Sequence, residues 1–270
     1  MKLALARQPV EGRSQRGACI VIPMKTTGNT IFIPGGTSGL GLGLALRFEA
    51  AGNTVIIAGR RTDLLDSITA EHPAIKAVVL DVSQPESIRN AFATVSSAYP
   101  ETNVLINMAG IMIPEDLHDP AFLDTATQIV TTNLLGPIRL LSAFIPFLAA
   151  QKSATIINVS SGLAFVPLSI TPTYSATKAA IHSFTESLRV QLADTTIEVI
   201  ELAPPAVQTA LMGQENSERA MPLEEFLTEV MSILIDQPEV EQVLVERVKA
   251  LRFAEANGNY PEMLKMLSGR

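Results

Sequence analysis

The chain has 270 residues, of which 47% are apolar and only 17% charged, enough to bury a sizeable core in one α/β unit. Its formal net charge of −7 argues against a nucleic-acid surface, which needs clustered Lys and Arg; the acids form no long run and read as a solvated surface. One cysteine, Cys19, excludes an internal disulfide framework and fits a reducing cytoplasm, while His72, His118 and His182 lack ligand spacing, read as surface or helix-end residues, and give no reason to expect a metal.

Residues 1–24 show no periodicity, carry Arg, Gly and Pro, and read as a disordered extension, with Met24 a possible biological start and residues 25–270 a single domain. From Thr30 onward short β-branched runs alternate with helical stretches. "TIFI" precedes a glycine loop and the amphipathic "LGLALRFEAAG". Then come "TVIIAG", a helix from Thr62, "KAVVLD", a helix through "PESIRNAFATVSSAY", and "NVLINMAG". Two long helical segments follow between Leu117 and Ala150, then "ATIINVSS", a helix from Tyr174 to Asp194, and "IEVIELAPP". The last stretch holds a helix in "PLEEFLTEVMSILI", a short strand "EQVLVE" and a terminal helix. Strands this apolar and unalternating are buried on both faces, as in a parallel sheet covered by helices. The alternation predicts a doubly wound α/β fold of about seven strands with right-handed crossovers. No apolar run approaches the ~20 residues needed to span a bilayer; "SAFIPFLAA" is the most apolar and proline interrupts it.

"PGGTSGLG" sets Gly35, Gly39 and Gly41 between a strand and a helix. That pattern suits a pyrophosphate, because backbone can approach it without Cβ interference and the helix start offers free N–H groups. A P-loop is excluded, since Leu42 stands where its lysine must be, and no G-x-S-x-G supports a hydrolase nucleophile. At the end of the second strand an acid would bond a ribose 2′-hydroxyl, whereas a 2′-phosphate needs cations. Here Gly59 occupies the acid position and Arg60 and Arg61 follow, so NADP is favoured over NAD. Tyr174 and Lys178 stand at i and i+4 in "PTYSATKAA", on one helix face. Ser161 ends a buried strand thirteen residues before Tyr174. Strand end and next helix start meet at the same rim of a parallel sheet as the glycine loop.

With these residues assembled, the chain resembles a single-domain short-chain dehydrogenase/reductase. The glycine loop, "LDV", "NMAG", "TTNLLG", "VSSG", "YSATK" and a proline-rich turn after the sixth strand match that family in order over roughly residues 25–212. Within it, "SSGLAFVPLSITPTYSATKAAIHSFTESLR" is similar to a group associated with D-alanine esterification of cell-wall polymers. The resemblance implies a Rossmann-like fold and a homodimer or homotetramer. It implies Tyr174 as acid/base, Ser161 orienting the substrate oxygen, Lys178 on the nicotinamide ribose, and Asn133 holding a water beside the lysine. On the cofactor it implies Thr37, Ser38 and Leu40 of the glycine loop and Asp81 and Val82 by the adenine. Asn107, Ala109 and Gly110 would sit by the adenosine ribose, and Pro204, Val207 and Thr209 after the sixth strand. The ammonium of Lys178 and the positive nicotinamide of the oxidised cofactor should together lower the tyrosine's ordinary pKa of ~10.

Three positions depart from the family pattern: Pro34 for threonine, Met108 for asparagine, and Pro205 for glycine. The first two exchange a polar tie between neighbouring strand ends for apolar packing, which predicts weaker cofactor binding by ~0.5–1.5 kcal/mol. Met112, Leu163, Phe165, Pro205, Leu211 and Met212 are candidates for an apolar substrate pocket, and residues 210–222 for a mobile lid. The expected activity is NADP(H)-dependent interconversion of a small carbonyl and its alcohol. The alternative is a nucleotide-binding scaffold or redox sensor with little catalysis.

Overall fold

The structure is a computed structural model that describes residues 23–269. Cys19 and the extension up to residue 22 lie outside them. Met24, assigned from sequence to that extension, is 6% exposed and packs in the core, and its N–H donates to Glu198 at 2.9 Å. The folded chain therefore reaches at least one residue further back than the sequence boundary.

The first half runs β1 (Thr30–Pro34), α1 (Gly39–Ala50), β2 (Thr54–Gly59), α2 (Thr62–Glu71), β3 (Lys76–Val79), α3 (Pro85–Ala98) and β4 (Thr102–Asn107). The second runs α4 (Phe122–Val130), α5 (Gly136–Ala149), β5 (Ala154–Val159), α6 (Pro172–Gln191), β6 (Ile197–Leu202), α7 (Leu223–Asp236), β7 (Gln242–Val243), α8 (Lys249–Arg252) and α9 (Tyr260–Ser268). All seven strands are parallel, in the order β3-β2-β1-β4-β5-β6-β7. The order reverses between β1 and β4, and in such sheets ligands bind at the carboxyl ends of the strands beside that reversal.

Alternation along the strands feeds two apolar layers. Ile31 and Ile33 join Leu44 and Phe48 of α1 and Leu227 and Val230 of α7 on one face. Phe32, between them in sequence, points the other way and stacks on Phe144 at 5.3 Å, with Phe92 edge-on to the same ring at 5.1 Å. Each layer covers one face of the sheet, so strand after strand reads as apolar throughout.

The two helical segments before Ala150 form a continuous helix, Phe122–Ala149, interrupted by one wider π turn at Thr131–Leu135. By length and composition alone it is long and apolar enough to cross a membrane, which the two prolines and polar "TTN" concealed in the sequence. Its Leu140, Leu141, Phe144 and Leu148 are buried in the second apolar layer, as a core helix requires. The terminal helix is also broken, into α8 and α9. The helix containing Tyr174 begins two residues earlier than expected, with Pro172 in its first turn, where the missing N–H costs nothing.

Candidate active site

The glycine loop joins β1 to α1 at the reversal of strand order. Gly35 has φ +87, and a Cβ there would lie 2.7 Å from the Ala109 backbone. At Gly41 a Cβ would lie 2.2 Å from the Gly35 carbonyl oxygen. Both sites exclude side chains, one by conformation and contact and the other by contact alone. The α1 N-terminus has no side-chain cap, so its first N–H groups remain available to an anion. This cradle fits the pyrophosphate of a dinucleotide.

Pro34 and Met108 stand at adjacent strand ends, as their motifs implied. The loss of the Pro34 donor leaves the ladder closed on either side. Gly35 donates to the Ala58 carbonyl at 2.8 Å, and Met108 N–H donates to the Pro34 carbonyl at 3.2 Å. The Met108 side chain meanwhile packs over the helix start, its Cγ 3.0 Å from where a Gly41 Cβ would be. Backbone and apolar contact thus join these strand ends.

A cleft of about 1320 Å³ opens along the carboxyl ends of the strands. One end is lined by Gly35, Thr37, Ser38, Gly39, Leu40 and Gly41 with Arg60, Arg61, Asp81 and Val82; Ala109 and Gly110 lie further in. Ser161, Tyr174, Lys178, Pro204, Val207 and Thr209 line the middle. Two sequence candidates stand behind the wall. Asn107 is buried and donates to the Asn158 carbonyl oxygen at 2.8 Å. Asn133, 1% exposed, sits in the π turn, where its amide accepts from Ile111 N–H at 2.8 Å and donates to the Ile111 carbonyl at 2.7 Å. Asn133 pins the segment that follows Gly110. Its Oδ1 and the Lys178 ammonium lie 3.5 and 3.8 Å from where a Gly110 Cβ would be.

Arg60 and Arg61 are exposed, and neither has a carboxylate partner among the described residues. At Gly59 a Cβ would lie 2.7 Å from Thr37 Cγ2, so Thr37 occupies the space an acid would need. Asp81 is held by Ser83, which donates from its N–H at 2.9 Å and its hydroxyl at 2.7 Å.

Tyr174 and Lys178 face the cleft one turn apart on α6, with the ammonium 5.6 Å from the phenol ring centroid. Lys178 donates to the Val159 carbonyl at 2.7 Å. Burial pushes its pKa down from 10.5 to about 8. Burial likewise pushes Tyr174 up to about 12, with the Ser161 hydroxyl pulling the other way. Burial dominates the phenol here; the lowering expected from Lys178 together with an oxidised nicotinamide concerns the cofactor-bound site. Ser161 begins a short 3₁₀ turn and accepts from Leu163 N–H at 3.1 Å, which fixes its hydroxyl toward the tyrosine.

Of the pocket candidates, Met112, Leu163, Pro205 and Leu211 line the cleft. Phe165 instead packs edge-on to His182 at 4.8 Å, and Met212 takes a left-handed φ of 61 in the loop beyond β6. That loop, read as a mobile lid, is tied at its base: Gln208 N–H donates to Met221 and Met221 N–H to Ala206, both at 2.8 Å. The sequence reading missed the contribution of the C-terminal region. Arg247, Leu251, Met266 and Leu267 all reach the cleft, and only the apolar face of "PEMLKML" hinted at it. His182 was also misplaced: it is half-buried against Glu201, because α6 turns that face inward. Among the described residues no group of three His, Cys, Asp or Glu side chains is close enough to hold a metal.

Residues 29–220 match the family model for the short chain dehydrogenase. An uncharacterized oxidoreductase of Bacillus subtilis, DltE, is 37% identical over 253 residues, 91% of this chain and 98% of that protein. An uncharacterized oxidoreductase of Staphylococcus epidermidis is 30% identical over 69% of this chain and 82% of its own. Among solved structures, a short chain dehydrogenase from Burkholderia cenocepacia in complex with NADP superposes with a TM-score of 0.74 at 24% identity, covering 90% of this chain and 98% of that one. A 3-ketoacyl-(acyl-carrier-protein) reductase from Brucella melitensis complexed with NADH gives 0.73 at 26% identity, over 82% and 97%. The sheet order, the closed glycine cradle and these matches agree: the chain belongs to the short-chain dehydrogenase/reductase family of oxidoreductases.

Proposed function

We propose that the protein is an NADP(H)-dependent oxidoreductase that interconverts a small apolar carbonyl compound and its alcohol. The observation that carries this is the convergence of Ser161, Tyr174 and Lys178 on one cleft whose far end holds two exposed arginines with no carboxylate partner among the described residues. The glycine loop would hold the pyrophosphate, Arg60 and Arg61 the 2′-phosphate, and Lys178 the nicotinamide ribose. The bound nicotinamide supplies hydride chemistry. The chain itself supplies a proton and a field. With a pKa raised to about 12, Tyr174 is fully protonated at neutral pH and fitted to donate to a carbonyl oxygen gaining negative charge. Ser161 offers a second donor to that oxygen. Lys178 favours the phenolate left behind, and Asn133 keeps the Gly110–Ile111 backbone in place beside it. The reading includes a cytoplasmic location and a homodimer or homotetramer, in keeping with the family and the single cysteine.

A panel of apolar ketones and aldehydes offered with NADPH and with NADH tests the activity. Arg60→Ala is expected to weaken NADPH binding by roughly tenfold, to flatten its salt dependence, and to leave NADH unchanged. Equal loss for both cofactors, or tighter NADH binding by the parent protein, would remove Arg60 from that role. Pro34→Thr combined with Met108→Asn is expected to tighten NADPH binding by about 0.5–1.5 kcal/mol. Unchanged affinity and unchanged thermal stability would show that backbone and apolar packing already replace the polar tie.

A further inference from the structure

A polar cluster behind the cleft has no part in the reading above. His182 lies one helical turn beyond Lys178, on the same face of α6. Its Nδ1 is 2.8 Å from Glu201 Oε2 in β6, a carboxylate 1% exposed. Gln242 of β7 donates to the same oxygen at 2.7 Å, and its own carbonyl accepts from Arg252 Nε of α8 at 2.7 Å. The Arg252 guanidinium covers Phe165 at 4.6 Å, and Phe165 stands edge-on to His182. The circuit therefore closes on itself through four elements of the fold.

It touches the active site at two places. Ser160, directly before Ser161, is buried near Glu201, though neither its hydroxyl nor Glu201 Oε1 has a hydrogen-bond partner among the described residues. On the other side the α8 turn presses on Gly162, directly after Ser161. A Cβ there would lie 2.9 Å from Leu251 and 3.0 Å from Val248. Backbone bonds fix both neighbours of the serine, Ser160 N–H to Leu202 at 2.9 Å and Gly162 N–H to Pro204 at 2.8 Å, and the segment bearing Arg252 packs against Gly162 through Leu251, itself part of the cleft wall.

We propose that His182 is a positioning residue, which acts through Glu201 and Arg252 to fix the Ser161 turn and the α8 wall of the cleft. For its catalytic part this rests on the oxidoreductase reading. Burying a carboxylate this deeply is costly unless it is paired and hydrogen-bonded, so removing His182 unsettles Glu201 and everything seated on it. The charged groups facing His182 are Glu201 from β6, Glu186 one turn along α6 at 3.8 Å, and Arg252 from α8. The hydrogen bond to Glu201 raises the imidazole pKa against the opposing effect of burial. For Glu201, burial is outweighed by its hydrogen bonds, which lower its pKa. The pair's contribution is therefore lost as pH rises through the raised His182 pKa, and lost again as pH falls through the lowered Glu201 pKa.

The test uses His182→Leu, which removes the donor, and His182→Asn, whose amide N–H can replace Nδ1. In His182→Leu, turnover of a ketone with NADPH should fall by about tenfold while NADPH affinity changes by less than about twofold. Hydrogen exchange should rise at residues 160–164 and 245–252 and stay constant in the glycine loop. His182→Asn should restore most of both. Turnover and exchange that stay at parental values in His182→Leu would overturn the proposal, and so would exchange rising equally in the glycine loop. Should His182→Leu not fold, Glu201→Gln, which keeps the shape and removes the charge, is expected to give the same pattern more weakly; parental behaviour there would overturn it too. A parent protein that turns over no carbonyl counts against the oxidoreductase reading, and the exchange data then decide the proposal alone.

Discussion

Tyr174→Phe is expected to lower turnover of any carbonyl substrate by roughly a thousandfold, with cofactor affinity little changed. The substitution removes a single oxygen from a side chain that is 7% exposed, so packing is conserved and only the proton donor is lost. Because burial raises the phenol to about 12, the parent protein should hold its donor protonated across the whole neutral range. Reduction should then show no alkaline fall from this residue between pH 6 and 9. Oxidation of an alcohol requires the phenolate and should rise with pH over the same interval. Turnover that survives Tyr174→Phe would take the residue out of its proposed role. Cofactor binding that persists in a parent protein without turnover would favour the scaffold alternative.

Lys178→Met is expected to abolish turnover and yet to make the fold more stable, by roughly 2–3 kcal/mol at pH 7. Lys178 is 5% exposed, and its only protein hydrogen bond among the described residues is to the Val159 carbonyl. The folded-state pKa is lowered from 10.5 to about 8. Between those values the unfolded chain binds a proton that the folded chain does not, so the stability of the parent rises with pH across that window. In Lys178→Met that rise should vanish. Thermal midpoints measured from pH 7 to 10 check both parts. A variant no more stable than the parent, or an unaltered pH slope, would mean that the ammonium is well solvated or paired in the free protein. Such a trade of stability for function is common where a charge is kept buried for chemistry.

The fold was legible because each strand of a covered parallel sheet must be apolar on both faces, and Ile31, Phe32 and Ile33 announce that in three letters. The cleft was legible at Gly35 and Gly41 for a related reason: a backbone that must pass within contact of another strand tolerates no side chain. Tyr174 and Lys178 were legible through helical spacing. Other features had no local signal. Asn107 and Asn133 sit in motif positions, and nothing in their neighbourhoods says that Asn133 spends both ends of its amide on Ile111 while Asn107 only donates to Asn158. The inward face of His182 depends on where β6 lies relative to α6, a relation between segments that are not neighbours in the chain. The raised pKa of Tyr174 follows from its burial, which depends on segments distant from it in the chain. The sequence boundary at residue 24 fell one residue late because a single methionine carries no periodicity by which to assign it to a core.

Thr37 and Gly59 constrain each other. The Thr37 methyl fills the space over Gly59, so an acid cannot be added at 59 to grip a ribose hydroxyl while that methyl stays where it is. An acid at 59 requires Thr37 to be replaced or its side chain to rotate. Gly59→Asp alone is therefore expected to displace the Thr37 side chain, which lines the cleft, and to weaken binding of both nucleotides. On the proposed reading, a preference for NADP would rest on this packing as well as on the charge of Arg60.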